Sequence, residues 1–95
     1  MIQELRLKLF VAGDSARARD AAANLARACE RIADGPARID LVDILADPDA
    51  ADEFRVLTTP TVVRVSPMPR RRVTGDLRDV TQVLVALDLH PLTHP

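Results

Sequence analysis

The sequence predicts a single α/β domain, a mixed four-stranded sheet with helices packed on it, in the order strand, helix, strand, helix, strand, strand, helix. Three observations carry this. Leu5, Leu7, Leu9 and Val11 alternate strictly with Arg6, Lys8 and Phe10, the period of a strand with one buried face. Ala18, Ala22, Leu25, Cys29 and Ile32 recur at steps of four and three, the stripe of a long helix. Near the C-terminus, two short runs flank Pro67-Met68-Pro69 and read as a hairpin. The 95 residues, 47% hydrophobic and 28% charged, fit one domain spanning 1–95, since domains commonly hold about 50–250 residues.

The elements follow in order. The first strand runs from Glu4 to Val11. Gly13-Asp14-Ser15 breaks it, and Asp14 or Ser15 can cap the following helix by accepting a bond from a free first-turn N–H. Gly35 and Pro36 mark that helix's end. Arg38 to Ile44 is a second strand, and a strand–helix–strand crossover makes the two strands parallel. Asp47-Pro48 offers an N-cap and a proline at the first helical position, with Asp49, Asp52 and Glu53 favourably placed in a short helix to about Val56. Thr61 to Val65 is a β-branched third strand. Arg70 to Thr74 is a fourth, ending at Gly75 and antiparallel to the third. Val80 to Leu87 fits both periods: Val80, Val83, Leu84 and Leu87 share a helical face, capped by Asp76 or Asp79, while its valines also suit a strand. The helix is preferred. From His90 onward, with Pro91 and Pro95, the chain is expected to fray.

Composition excludes several functions. Thirteen Lys and Arg against 14 Asp and Glu give a net charge of −1, and the sequence pI is near 6.1, so nothing pulls the whole chain toward nucleic acid or anionic membrane. Phe10 and Phe54 are the only aromatic residues, which removes base-stacking platforms. No leader or 18-residue apolar run is present, so a cytoplasmic protein is expected. One cysteine, Cys29, cannot form an internal disulfide or a C-x-x-C pair. It sits on the apolar stripe, far from the helix start where a redox thiol is needed, and that start reads Gly13-Asp14-Ser15-Ala16. His90 and His94 have metal-ligand spacing, but Pro91 breaks the helix the spacing requires. No phosphate loop occurs. The expectation is a non-enzyme without cofactor or metal.

Charge is uneven along the chain. Residues 34–53 hold seven acids and one base, a local net of −6, and residues 64–78 hold five bases and one acid, a local net of +4. Such polarity steers a charged partner or pairs identical subunits, although a solvated surface reads the same way. Arg70-Arg71-Arg72 is the densest basic run.

The element order is that of the thioredoxin fold, and Thr59-Pro60-Thr61 falls where that fold carries a cis-proline before its third strand. A trans proline at a strand start reads alike, so both isomers stay open.

Four blocks then narrow the reading: Lys8-Leu9-Phe10-Val11-Ala12-Gly13; Ile39-Asp40-Leu41-Val42-Asp43-Ile44-Leu45 with Pro48 after it; Thr59-Pro60-Thr61; and Arg71-Arg72 followed by Gly75-Asp76-Leu77-x-Asp79-x-x-x-Val83-Leu84. The chain resembles the KaiB family over about Leu5 to Leu89. Phe10 stands where the family commonly has tyrosine, and Asp14-Ser15-Ala16 where it often has Asn-Thr-Pro. The resemblance implies a thioredoxin-like form that binds a KaiC-type hexameric ATPase. It also implies a second, tetrameric ground-state fold with a rearranged C-terminal half. KaiB-like domains serve as well as sensor modules of histidine kinases. The expected function is a non-enzymatic regulator of such a ring's phosphorylation or ATPase cycle, homo-oligomeric as a dimer or tetramer, or else a module docking a histidine kinase or another stress-response partner. The residues expected to bind the partner or bias the fold are Pro60, Arg70, Arg71, Arg72, Gly75, Asp76 and Asp79.

Overall fold

A computed structural model describes residues 4–92. Strand β1 (Leu5–Val11) is followed by helix α1 (Ala16–Cys29), β2 (Ala37–Asp43), α2 (Pro48–Glu53), β3 (Thr61–Ser66), β4 (Arg71–Thr74) and α3 (Val80–Ala86). The sheet order is β2-β1-β3-β4, with β1 parallel to β2 and both remaining pairs antiparallel. This is the mixed thioredoxin-like sheet expected from the element order.

Strand alternation sorts the core into two layers. Leu5, Leu7, Leu9 and Val11 join Val62 and Val73 beneath α1 and α3, forming the main core. On the opposite face Phe10 and Val63 meet Phe54, at the end of α2, in a smaller cluster. The dual-period segment is helical: Val83, Leu84 and Leu87 are buried, while Val85, on the face a strand would share with Val83, is exposed.

Three boundaries differ from the sequence reading. The buried stripe of α1 is Ala18, Ala21, Leu25 and Ala28, continuing to Ile32, so Ala22 and Cys29 pack from its margin. The alanine-rich helix sits close to the sheet, and methyls at 21 and 28 fill that contact. Helix α1 stops six residues before Gly35, because the backbone beyond Glu30 pairs elsewhere. Ile32 bridges Pro91, the Ala33 N–H donates to the His90 carbonyl at 2.7 Å, and the Leu92 N–H donates to the Arg31 carbonyl at 2.7 Å. Helix α2 ends at Glu53 because Arg55 takes a left-handed conformation (φ 53°), with Val56 N–H returning to Ala51 O. Helix α3 closes the same way through Asp88 (φ 53°) and the Leu89 N–H to Leu84 O bond.

The same backbone pairing corrects the expectation of fraying from His90. Residues 90–92 are tied down, and 93–95, with His94, lie outside the described residues. The Asp34 carboxylate accepts from the His90 backbone N–H at 2.7 Å and meets its ring Nδ1 at 3.0 Å. Against the opposing effect of burial, His90's hydrogen bonds and charge lower the Asp34 pKa. The hydrogen bond and charge of Asp34 raise that of His90, with Asp88 adding to the effect and Arg64 opposing it. A raised histidine pKa stabilises below the ordinary value and is lost as pH climbs through the folded one; a lowered carboxylate pKa is lost as pH falls through its folded value. The clasp is therefore strongest between roughly pH 4 and pH 6.5. In an NMR titration the His90 ring should show a midpoint above the ordinary histidine range, returning to that range in Asp34→Asn. An unchanged midpoint in the variant would dissolve the clasp.

Candidate interaction site

The positions singled out in the sequence fall in two places. Pro60, Gly75 and Asp76 meet at one end of the β3–β4 hairpin. Gly75 N–H donates to the Pro60 carbonyl at 2.9 Å, so the turn before β3 and the turn after β4 are fastened together. The Thr59–Pro60 peptide is cis, as are Ser66–Pro67 and Met68–Pro69. Gly75 holds φ +112°, a region that L side chains rarely adopt, and Leu77 two residues on holds φ 63° while its side chain is buried. Asp76 is gripped from α1: the buried Asn24 amide donates to the Asp76 carbonyl at 2.8 Å, and Asn24 Oδ1 accepts from Arg27. Asp76 Oδ1 accepts from Arg78 N–H at 3.0 Å, and Asp79 caps α3 by accepting from Gln82 N–H at 3.2 Å. Asn24 was not singled out in the sequence; a polar residue one step from Leu25 on the buried side of α1 is the signal that could have found it.

The second place is the β4 edge. Arg70 lies over the Phe54 ring, 4.6 Å from its centroid, and Arg72 donates to the carbonyls of Phe54 (2.5 Å) and Arg55 (3.1 Å) at the end of α2. Arg71 is exposed and projects from the other face of the strand, opposite Arg64. Arg64, counted with this basic run in the sequence, is 5% exposed and belongs to the interior. The basic surface is thus smaller than the local net of +4 suggests, and Arg71 is its least encumbered member.

Beside Pro60, a shallow cavity of about 160 Å³ is lined by Val11, Ala12, Ser15, Arg17, Ala18 and Thr59 with Pro60 itself. Here α1 begins, capped by Ser15 Oγ accepting from Ala18 N–H at 3.1 Å. The turn is braced by Asp43, whose Oδ1 accepts from Gly13 N–H (2.8 Å) and Leu45 N–H (3.0 Å); these two donors lower its pKa. The thiol is remote. Cys29 is the last residue of α1, about 20 Å along the helix from Ser15, and burial raises its pKa, the opposite of what a reactive thiolate needs. Among the described residues no group of three His, Cys, Asp or Glu could hold a metal ion, and no helix is long and apolar enough to cross a membrane.

A solved structure of the N-terminal domain of Synechococcus elongatus SasA superposes with a TM-score of 0.77, covering 93% of this chain and 87% of that one at 22% identity. Mitochondrial thioredoxin 3 from Saccharomyces cerevisiae follows at 0.68, covering 90% and 77% at 19% identity. At such identities the likeness concerns the fold. The model of the KaiB domain matches residues 8–89. The chain belongs to the KaiB family. The circadian clock oscillator protein KaiB of Synechococcus elongatus is 40% identical over 83 residues, which cover 87% of this chain and 81% of that protein. The circadian clock protein KaiB3 of a Synechocystis species is 33% identical over 85 residues, covering 90% and 83%. The KaiB match runs from β1 to the end of the α3 closure, so it takes in the Pro60–Gly75 junction, the β4 arginines and Asp79 alike.

Proposed function

We propose that the protein is a non-enzymatic KaiB-type regulator that binds a KaiC-type hexameric ATPase and alters its phosphorylation or ATPase cycle. The observation that carries this is the thiol-free turn at the start of α1 beside Pro60, in a chain of the KaiB family. A thioredoxin-like scaffold whose reactive position holds Gly13-Asp14-Ser15 is left with surfaces to offer, and binding is the mechanism. Pro60, Gly75, Asp76 and Asp79 shape the contact by fixing the hairpin ends, while Arg70 and Arg72 stay close to α2 and Arg71 meets the partner.

The test is the mass of the complex formed with the organism's own KaiC-type ATPase, by light scattering after gel filtration, with ATP and with ADP. A nucleotide-dependent complex is expected. Arg71→Glu should weaken it about tenfold, mostly through slower association in low salt. Arg71 is the clean probe, because reversing Arg72 also removes its bonds to α2. No complex in either nucleotide would shift the reading to a signalling module that docks a sensor histidine kinase, and a complex indifferent to Arg71→Glu would take the β4 edge out of the interface.

A further inference from the structure

The sheet face turned away from α1 and α3 is far more basic than the chain as a whole. Alternation in β1 places Arg6, Lys8 and Phe10 there, and the strand register extends the same face to both sides. Arg38 lies beside Arg6 and Asp40 beside Lys8 in β2, while Lys8 leads through Val63 to Arg72 in β4. Arg70 joins them over the Phe54 ring. Five cations thus share the face with one carboxylate, a local net of +4. Asp40 is divided between Arg38 at 3.5 Å and Arg6 at 3.7 Å, and Lys8, Arg70 and Arg72 form no ion pair among the described residues. Arg6 and Arg38 are direct cross-strand neighbours, a pairing that like charge makes unfavourable. From β2 to β4 the cations span three strand steps, about 14 Å.

An anion relieves such a field, and the rest of the face narrows its kind. Among the described elements only α2 packs here, through Phe54 on Phe10 and Val63. Both aromatic rings are buried, so no nucleobase can stack. The strongly exposed apolar residues of the sheet strands, Ile39 and Leu41, lie on the other face, so an amphipathic helix finds no apolar anchor. What remains is a flat array of flexible cationic heads, suited to a chain of dense and wholly hydrophilic negative charge. We propose that this face binds a linear oligophosphate. Arg6, Lys8, Arg38 and Arg70 donate to its non-bridging oxygens, and Arg72 adds charge from its place on the α2 carbonyls. The site is independent of the ring-binding reading, because Arg71, which that reading sets against the partner, projects from the other face of β4.

Titration of the full natural chain with tripolyphosphate at low salt, followed by NMR of the arginine and lysine side chains, tests this. Arg6, Lys8, Arg38 and Arg70 should shift, while Arg71 and Arg17, an exposed residue of α1, stay in place. Orthophosphate should bind at least about tenfold more weakly, because it reaches fewer cations. The logarithm of the affinity for tripolyphosphate should fall with that of the salt concentration at a slope near −3, about 0.7 for each cation neutralised. Arg38→Gln, at an exposed position of the outer strand, should weaken binding at least about threefold and make the slope shallower by about 0.7. Arg17→Gln, an equal loss of charge across the sheet, should do neither. A single-stranded oligonucleotide and poly-glutamate of matched charge should bind more weakly, since each carries less charge per unit length. No shift at millimolar tripolyphosphate, shifts centred on Arg71 or α1, a slope unmoved by Arg38→Gln, or an oligonucleotide or poly-glutamate that binds as tightly would each overturn the proposal.

Discussion

Arg64→Ala should cost about 3–4 kcal/mol of folding stability, lowering the thermal midpoint of a domain this size by some 15 °C or more. The side chain leaves β3 into the interior, where it is 5% exposed and forms no ion pair with a carboxylate among the described residues. Its two Nη groups are satisfied by main chain instead, while the buried Nε has no partner. Nη1 donates to the Leu87 carbonyl at 2.9 Å and the Asp88 carbonyl at 3.3 Å, and Nη2 donates to the Pro69 carbonyl at 2.8 Å. Two of these carbonyls end α3, where a helix leaves acceptors unpaired and partial negative charge accumulates. One fixed cation therefore fastens the last helix and the β3–β4 loop to the centre of the sheet. Truncation removes the donor from three acceptors, of which the Leu87 carbonyl is in a buried bond and the other two are part-buried. Arg64→Lys keeps the charge but offers a point rather than a fork, so it should recover less than half of the loss. Denaturant midpoints for the two variants check both statements. A loss below about 1 kcal/mol for Arg64→Ala would mean that water replaces the guanidinium without penalty.

Arg64 also marks where the sequence stops being legible. The strand Thr61-Val62-Val63-Arg64-Val65 reads as four apolar or β-branched positions around one charge, and a charge in such a run is ordinarily a solvated one. Its burial depends on Leu87 and Asp88, more than twenty residues away, bringing their carbonyls over β3. Elements governed by local periodicity were readable: the alternation in β1 and Pro48 at the start of α2 lie where pattern and backbone chemistry put them, and the caps of α1 and α3 are one of the two candidates named for each, Ser15 and Asp79. The helical period fixed the side of α1 that faces the sheet only to within one residue, because Ala21 and Ala22 are chemically identical and only the packing distance chooses between them. Gly35 and Pro36 misplaced the end of α1, which stops at Cys29 because the chain beyond Glu30 pairs with residues 90–92. The ends of α2 and α3 were hidden at Arg55 and Asp88, where tertiary packing holds a non-glycine residue left-handed. Of the candidate site, Pro60 and Gly75 could be named from their residue types, but their direct hydrogen bond and the Asn24 grip on Asp76 are long-range facts.

The opposite face of the sheet supplies the second large effect. Phe54→Ala should cost about 3–5 kcal/mol, and Phe54→Leu only about 1–1.5 kcal/mol, because the second change keeps most of the apolar volume. Helix α2 has six residues, too few to persist unaided, and it contributes no fully buried side chain of its own. What fastens it is the residue that ends it. The Phe54 ring packs 5.4 Å from Phe10 and has two cations over it, Lys8 at 5.3 Å and Arg70 at 4.6 Å from its centroid. Its carbonyl meanwhile accepts from Arg72. Phe10 is wholly buried, so removing Phe54 opens a cavity over the middle of the sheet and strips Arg70 of its aromatic platform. The main core beneath α1 and α3 shares no residue with this cluster, which makes the loss local in kind. Amide exchange should therefore quicken in α2 and at Phe10 well before it does in α1, and equal acceleration in both would mean that the two layers unfold as one. Because Arg70 and Arg72 rest on Phe54 and Arg71 projects from the other face of β4, the variant should also disturb Arg70 and Arg72 more than Arg71. The charge best placed to meet a partner is thus the one least tied to the strand's packing.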